Sequence, residues 1–214
     1  MKADSMSGKF IVIEGIDGAG KSTQVERLKE HPALRNAHFT AQPTRAGIGA
    51  VVREQIRKDQ PDYSPEAMAA LLVADRLDHL TAPEVGLIAR LEKGQHVVAD
   101  RYILSSLAYQ SLTAPFELVW ALNQPCLQLL APDLTLYLDL TPEQSMARIE
   151  ARGGVLDSFE SLKNLTQIRE NYLAGIQRME GHPIRQFSAN QSIDSLAKEV
   201  GSVVEELIID NFIS

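Results

Sequence analysis

Nine residues constrain this chain more than any others: Gly15-Ile16-Asp17-Gly18-Ala19-Gly20-Lys21-Ser22-Thr23, a match to G-x-x-x-x-G-K-[ST]. Before them, Phe10-Ile11-Val12-Ile13-Glu14 reads as a buried strand. After them, Gln24 to Lys29 has helical character. Strand, glycine turn and helix in that order make a phosphate cradle. The glycines let backbone N–H groups converge on one point, and the helix N-terminus adds partial positive charge there. Gly15, Gly18, Ala19, Gly20 and Thr23 belong to that cradle. Lys21 is placed to reach the β- and γ-phosphates of a bound nucleotide, and Ser22 offers a hydroxyl to Mg²⁺.

The rest of the chain repeats the alternation. His38-Phe39-Thr40-Ala41, Gln95 to Asp100, Leu134 to Leu140 and Ile184 to Phe187 read as further strands. Helices are expected over Ala50 to Lys58, from Ser64-Pro65-Glu66 to about Lys93 with a bend at Pro83, and from Ser105 onward. Others should cover Phe116 to Leu130, Thr141 to Arg152, about Ser158 to Glu180, and Ile193 to Ile209. This alternation implies an α/β fold of the P-loop NTPase type: a five-stranded parallel sheet with helices on both faces. The whole of 1–214 should form one domain, with a flexible leader over about 1–8. Met6 is an alternative start to Met1. Ligands of such sheets sit at the carboxyl ends of strands. Those ends here carry the glycine loop, Pro43 to Arg45, Asp100 to Tyr102 and Ser188 to Gln191, so four clusters converge on one edge.

Composition narrows the partners. A net charge of −7 argues against a nucleic-acid surface. Cys126 is the only cysteine, which excludes an internal disulfide and a cysteine metal cage and fits a reducing compartment. No apolar run approaches the ~20 residues that span a bilayer, and Phe10 to Ile13 is too short for a signal-peptide core. A cytoplasmic protein without membrane partners is expected.

The other clusters bear on the acceptor. Asp100 ends an apolar strand, where a second acid assists Mg²⁺, and Arg101 beside it can hold a phosphate, although a surface ion pair would look the same. Leu72 and Arg76, spaced i,i+4, share a helix face and could meet a base edge; packing beside a solvated charge has the same spacing.

Taken together, these residues resemble the thymidylate (dTMP) kinases along nearly the whole chain. The glycine loop with Asp17, the Pro43 and Arg45 loop, Leu71-Leu72-Val73-Ala74-Asp75-Arg76, the Asp100-Arg101-Tyr102 block with Ser105, Ser106, Ala108 and Tyr109, Pro132 to Leu138, and Ser188-Ala189-Asn190-Gln191-Ser192 all match. The resemblance implies transfer of the ATP γ-phosphoryl group to dTMP by a single P-loop kinase domain over 1–214, with a short lid at about 148–160, in a homodimer. It places Asp17 near the sugar 3′-hydroxyl, and Arg45 and Arg101 on the acceptor phosphate with Pro43 beside them. Arg76 would read the pyrimidine edge, with Leu72, Ser105 and Ser106 in the same pocket, and Tyr109 would lie under the sugar. Ser22 and Asp100 would organise Mg²⁺. Ala189, Asn190 and Gln191 would lie near the ATP base.

Two departures stand out. Leu72 occupies a position where the family usually stacks a Phe on thymine, which removes ring stacking of about 1 kcal/mol. The lid stretch Asp157-Ser158-Phe159-Glu160 lacks the Arg usual in members with Gly at position 18. Arg152, beside Gly153-Gly154, is then expected to be catalytic, with Lys21, Asp17 and Arg101, and Arg148 to flank ATP. The departures keep two alternatives open: a kinase for another pyrimidine nucleotide or a deoxynucleoside, and a nucleotide-binding protein that has lost catalysis.

Overall fold

The structure is a computed structural model that describes residues 8–58, 60–153 and 161–209. The expected leader up to residue 7, with Met1 and Met6, lies outside these residues, as do Gly154, Asp157 to Glu160 and most of the expected lid.

Five strands form one sheet: β1 (Phe10–Glu14), β2 (His38–Ala41), β3 (Val97–Asp100), β4 (Leu134–Asp139) and β5 (Ile184–Ser188). Their order is β2-β3-β1-β4-β5, and every pairing is parallel. All five β1 residues are buried. In a strand, neighbours point to opposite faces, so β1 is covered on both. The edge strands differ: β2 is half-buried throughout, and β5 leaves Arg185 and Gln186 exposed. Register then places the chemistry. Ile13 pairs with both Asp100 and Leu136, Ala41 with Asp100, and Asp139 with Ser188. The residues that follow these pairs, from Gly15, Gln42, Arg101 and Ala189 onward, therefore leave the sheet on one edge.

The helices are α1 (Lys21–Lys29), α2 (Gly47–Ile56), α3 (Pro65–Thr81), α4 (Leu87–Glu92), α5 (Ile103–Gln110), α6 (Phe116–Leu129), α7 (Pro142–Arg152), α8 (Leu162–Arg178) and α9 (Ile193–Ile209). Their ends have local causes. Ser64 caps α3 by accepting from the Ala67 N–H at 3.3 Å, and Pro65 supplies a fixed first turn. Thr141 and Gln144 form a reciprocal capping box on α7.

The single bent helix expected from Ser64 to Lys93 is two helices. Ala82 precedes Pro83 and is driven out of the helical region, with ψ at 127°. Glu84 then takes a positive φ of 63°, and the chain restarts at Leu87. Helix α8 begins at Leu162, capped by Ser161; the expected start at about Ser158 lies outside the described residues. The core carries three fully buried tyrosines, Tyr102, Tyr137 and Tyr172; Phe10 meets Tyr102 edge-on at 5.2 Å.

Candidate nucleotide site

The glycine loop runs from β1 to α1. Gly15 has φ of 150°, and a Cβ there would lie 2.6 Å from the Leu138 carbonyl oxygen, so the loop turns against β4 only with glycine. Gly18 and Gly20 also take positive φ, and buried Ala19 closes a turn onto Ile16. Ser145 of α7 donates to the Asp17 carbonyl oxygen at 2.5 Å, which braces the loop from the far side. Helix α1 starts at Lys21 with no side-chain cap, so its first N–H groups face the loop, and Ser22 and Thr23 are exposed in that turn. Lys21 is folded back and buried, donating to the carbonyl oxygens of Gly15 at 2.8 Å and Ile16 at 2.9 Å. Burial, and then the neighbouring Arg101 charge, bring its pKa down to about 8.

Beside the loop lies a cavity of about 460 Å³. Asp17, Arg101 and Tyr109 form its wall against the glycine loop. Arg101 Nη2 reaches Asp17 Oδ1 at 2.5 Å and Tyr109 Oη at 3.3 Å, and Tyr109 donates to Asp17 Oδ2 at 2.8 Å. The guanidinium also sits 4.6 Å from the Tyr109 ring centre. Burial alone would raise the Asp17 pKa. Arg101, then Lys21 and the Tyr109 hydroxyl, outweigh it and hold the carboxyl at about 2, so Asp17 is an anion at neutral pH.

Arg101 has φ of 73°, unusual for a residue with a side chain. The next helix explains how this turn is held. Tyr102 starts α5 without a side-chain cap of its own. Buried Glu14, from the end of β1, does the capping: it accepts from the N–H groups of Tyr102 at 2.7 Å and Ser105 at 3.1 Å. The Ser105 hydroxyl at 2.5 Å and the Tyr172 hydroxyl at 3.1 Å complete its shell.

At the other end of the cavity stand Leu72 and Arg76, both buried. Arg76 donates from Nε to Gln42 Oε1 at 2.7 Å, from Nη1 to Asn123 Oδ1, and from Nη2 to Tyr102 O at 3.0 Å and Ser106 Oγ at 2.9 Å. Its group also lies 5.1 Å from the Tyr102 ring centre. Every one of these partners is neutral, and four of its five donors are used. Burial lowers its pKa, but a guanidinium remains charged.

Arg45, Arg53, Arg57, Arg101 and Arg152 also line the cavity. Asp75 fixes the loop that carries Pro43 and Arg45, accepting from the Thr44 N–H at 2.8 Å and the Thr44 hydroxyl at 2.5 Å. Arg53 donates to Thr44 O at 3.0 Å and to Pro43 O. Gly49 leaves room for this, since a Cβ there would lie 2.3 Å from Thr44 Oγ1.

Asp100 lines the same cavity, and its Oδ1 is buried without a hydrogen-bond partner in the structure. A carboxylate oxygen without a partner in the cavity and an exposed Ser22 in the first turn of α1 are donors that suit Mg²⁺, which keeps waters and phosphate oxygens as its remaining ligands. Among the described residues no group of three or more His, Cys, Asp or Glu side chains could hold a metal by itself.

The two arginines of α7 part company. Arg148 donates to Gly18 O at 3.2 Å and Ala189 O at 2.7 Å, joining the glycine loop to the turn after β5. Arg152, one turn later, lines the cavity beside the loop. Gln191 donates back to Ser188 O at 2.9 Å and so closes the Ala189-Asn190-Gln191 turn, in which Asn190 is exposed.

Of the expected site residues, Asp17, Pro43, Arg45, Leu72, Arg76, Asp100, Arg101, Ser105, Ser106, Tyr109 and Arg152 all line one cavity. Ser105 and Ser106 do so with hydroxyls committed inside the protein, to Glu14 and to Arg76. Sequence reasoning missed Gln42, Arg53, Ile56 and Arg57. The signal for three of these was present: Arg53, Ile56 and Arg57 have the same i,i+3 and i,i+4 spacing that marked Leu72 and Arg76.

A thymidylate kinase family model matches residues 13–200. The chain is 35% identical over 217 residues to a thymidylate kinase of Legionella pneumophila, a match covering 97% of this chain and 99% of that relative. It is 33% identical over 209 residues to a probable thymidylate kinase of Methanococcoides burtonii, covering 95% and 99%. A probable thymidylate kinase of Pyrobaculum aerophilum is 34% identical over 200 residues, covering 93% and 97%. The glycine loop, the cationic cavity beside it and full-length similarity at this level have one reading: the chain belongs to the thymidylate kinase family.

Proposed function

We propose that this chain transfers the γ-phosphoryl group of ATP to dTMP, giving ADP and dTDP. The observation that carries the reading is the shared wall: Asp17 belongs to the glycine loop and lines the cavity, and Arg101 binds it at 2.5 Å. A donor phosphate on the loop and an acceptor phosphate among the arginines would thus meet across one pair of side chains. The acceptor is already an anion, so the reaction needs alignment and charge neutralisation rather than a strong base. Arg45, Arg53 and Arg101 would hold the acceptor phosphate, and Lys21 would leave its carbonyl partners for the β- and γ-phosphates. Asp17 keeps lone pairs for the sugar 3′-hydroxyl, and Tyr109 packs beside it. Ser22 and Asp100 would hold Mg²⁺, which when bound neutralises the charge on the migrating group. Arg148 would flank the ATP base with Ala189, Asn190 and Gln191, while Arg152 would meet the migrating group. The remaining Arg76 donor suits a carbonyl at the pyrimidine 4-position, not an amino group, and Leu72 gives the thymine methyl an apolar wall.

The test is ADP release with dTMP, dUMP, dCMP and thymidine as acceptors. dTMP should give the highest kcat/KM, dUMP a lower value and dCMP the lowest of the three, with thymidine inactive. Preference for dCMP would remove the role given to Arg76, and thymidine turning over as well as dTMP would remove that of the arginines.

The same reading makes the protein a cytoplasmic homodimer. Exposed Ile48 and Val51, one turn apart on α2, would lie in the subunit contact. Among the described residues no helix is long and apolar enough to cross a membrane. Light scattering on the purified protein, with Val51→Glu as the disrupting variant, tests the dimer.

A further inference from the structure

Arg76 lies inside the protein with neutral partners, so its position depends on how firmly those partners are themselves held. Its Nε can only donate, which obliges Gln42 to turn its amide oxygen toward Arg76 and its NH₂ group away. That NH₂ meets Nδ1 of His79 at 3.2 Å. Nδ1 must accept there, so the imidazole proton sits on Nε2, which donates to Thr40 Oγ1 at 3.1 Å. The sense of every bond is therefore set from the guanidinium outward, across α3, the end of β2 and back to α3.

We propose that His79 is a positioning residue for base recognition: its neutral ring locks the Gln42 amide that holds Arg76 in the cavity, and protonation of the ring unlocks it. The proposal rests on the reading of the cavity as a pyrimidine nucleotide site. A protonated imidazole carries N–H on both nitrogens, so Nδ1–H would face the Gln42 NH₂, donor against donor. Rotating the amide by half a turn satisfies His79 but sets the NH₂ against the Arg76 Nε–H. No orientation of Gln42 serves both neighbours once His79 is a cation.

The surroundings favour the locked form at neutral pH. Burial pushes the His79 pKa below its ordinary value. Asp75, one turn earlier on α3, favours the cation, but its carboxylate is engaged by Thr44. His38 from β2, Arg76 from α3 and Arg90 from α4 all oppose the cation. The relay thus stays closed near neutrality and opens in acid.

Thymidine binding measured by calorimetry between pH 7.5 and pH 5.5 tests this, because thymidine carries the base without a phosphate that would titrate in that range. The wild-type Kd should rise by roughly 2- to 5-fold toward the acid end, because a ring whose pKa lies below the ordinary imidazole value is only partly protonated at pH 5.5. His79→Asn puts a carbonyl oxygen near the place of Nδ1 and does not titrate. It should bind as the wild type does at pH 7.5 and stay flat into acid. His79→Leu should bind about 3- to 10-fold more weakly at every pH, with KM for dTMP raised, and with kcat and KM for ATP unmoved as evidence of an intact fold. If thymidine binding is too weak to measure, the variant-to-wild-type ratio of KM for dTMP at each pH gives the same comparison, because the ligand's own titration cancels.

His79→Asn retaining the full acid loss, or His79→Leu matching the wild type at pH 7.5, overturns the relay. Absence of dTMP-dependent ADP release in the wild type instead rejects the underlying nucleotide reading, so the two failures are distinguishable.

Discussion

Lys21 sits between two opposed influences: burial and Arg101 pull its pKa to about 8, while Asp17, with Oδ1 at 3.7 Å, favours the charge. Binding of ATP phosphates would raise that pKa again, so the bound form holds a proton that the free form loses as pH rises through about 8. ATP affinity should therefore fall by up to about tenfold per pH unit on the alkaline side. The nucleotide phosphates are already fully ionised there and contribute nothing to the slope. Calorimetry at pH 9 in two buffers of different ionisation enthalpy should show net proton uptake on binding, and none would mean that Lys21 does not meet the phosphates. Lys21 was legible in the sequence because a local pattern fixes its backbone. Gln42 and Asn123 were not, because their work depends on which way an amide faces a guanidinium 34 and 47 residues away in the sequence, and His79 was not, because it acts through an amide 37 residues away; only the fold decides these.

Two elements carry more than their sequence announces. Helix α7 presents Arg148 and Arg152 one turn apart to different regions: Arg148 to the glycine loop and the turn after β5, Arg152 to the cavity lined by Asp17 and Arg101. Arg152→Ala should lower kcat by roughly 10²–10³-fold with little change in either KM, as for a contact made mainly in the transition state. Arg148→Ala should act chiefly on KM for ATP, and the reverse pattern in steady-state kinetics would exchange the two roles.

Helix α5 shows the converse. Its N-terminal cap is Glu14, from a different strand, so no local signal announces it. Removing that carboxylate leaves the Tyr102 and Ser105 N–H groups buried without their acceptor, and leaves the Ser105 and Tyr172 hydroxyls only each other and the Gly15 carbonyl oxygen within the cluster. Glu14→Ala should cost about 2–4 kcal/mol and lower Tm by roughly 5–15 °C for a chain of this size. A thermal melt within 2 °C of wild type would remove Glu14 as the cap. Helix lengths fared similarly. Local capping at Ser64 and Thr141 was readable, whereas the break at Ala82 needed Pro83 to act through the preceding residue rather than as a mere bend.

At the scale of the whole molecule, a chain of net charge −7 gathers several of its arginines around one cavity. Arg45 comes from the loop after β2, Arg53 and Arg57 from α2 and its end, Arg101 from the turn after β3, and Arg152 from α7. Only the parallel sheet brings these segments together. The alternation of strands and helices made that convergence legible, but the share taken by α2 was hidden within an ordinary amphipathic helix.

Gathered cations repel one another. Burial lowers the Arg53 pKa first, and then Arg45 and Arg57 lower it further, against the pull of Asp75 and Asp100. An anion in the cavity should relieve this strain, so ligand binding and stability are linked through the arginines. At 100 times its Kd, dTMP should stabilise the fold by about 2.7 kcal/mol and raise Tm by roughly 5–10 °C. Inorganic phosphate should give part of that rise, and thymidine at equal concentration less than dTMP. Arg57 is exposed, and removing it takes away repulsion without opening the core. Arg57→Ala should then raise the nucleotide-free Tm by about 1–2 °C, a gain limited by solvent screening, while reducing the rise produced by dTMP. The two shifts must have opposite sign if the arginines are held together against their own repulsion for an anionic ligand. Differential scanning fluorimetry on the two proteins, with and without dTMP, decides this, and a variant whose unliganded Tm falls while its dTMP response is unchanged would show that Arg57 is a packing residue with no part in the anion site.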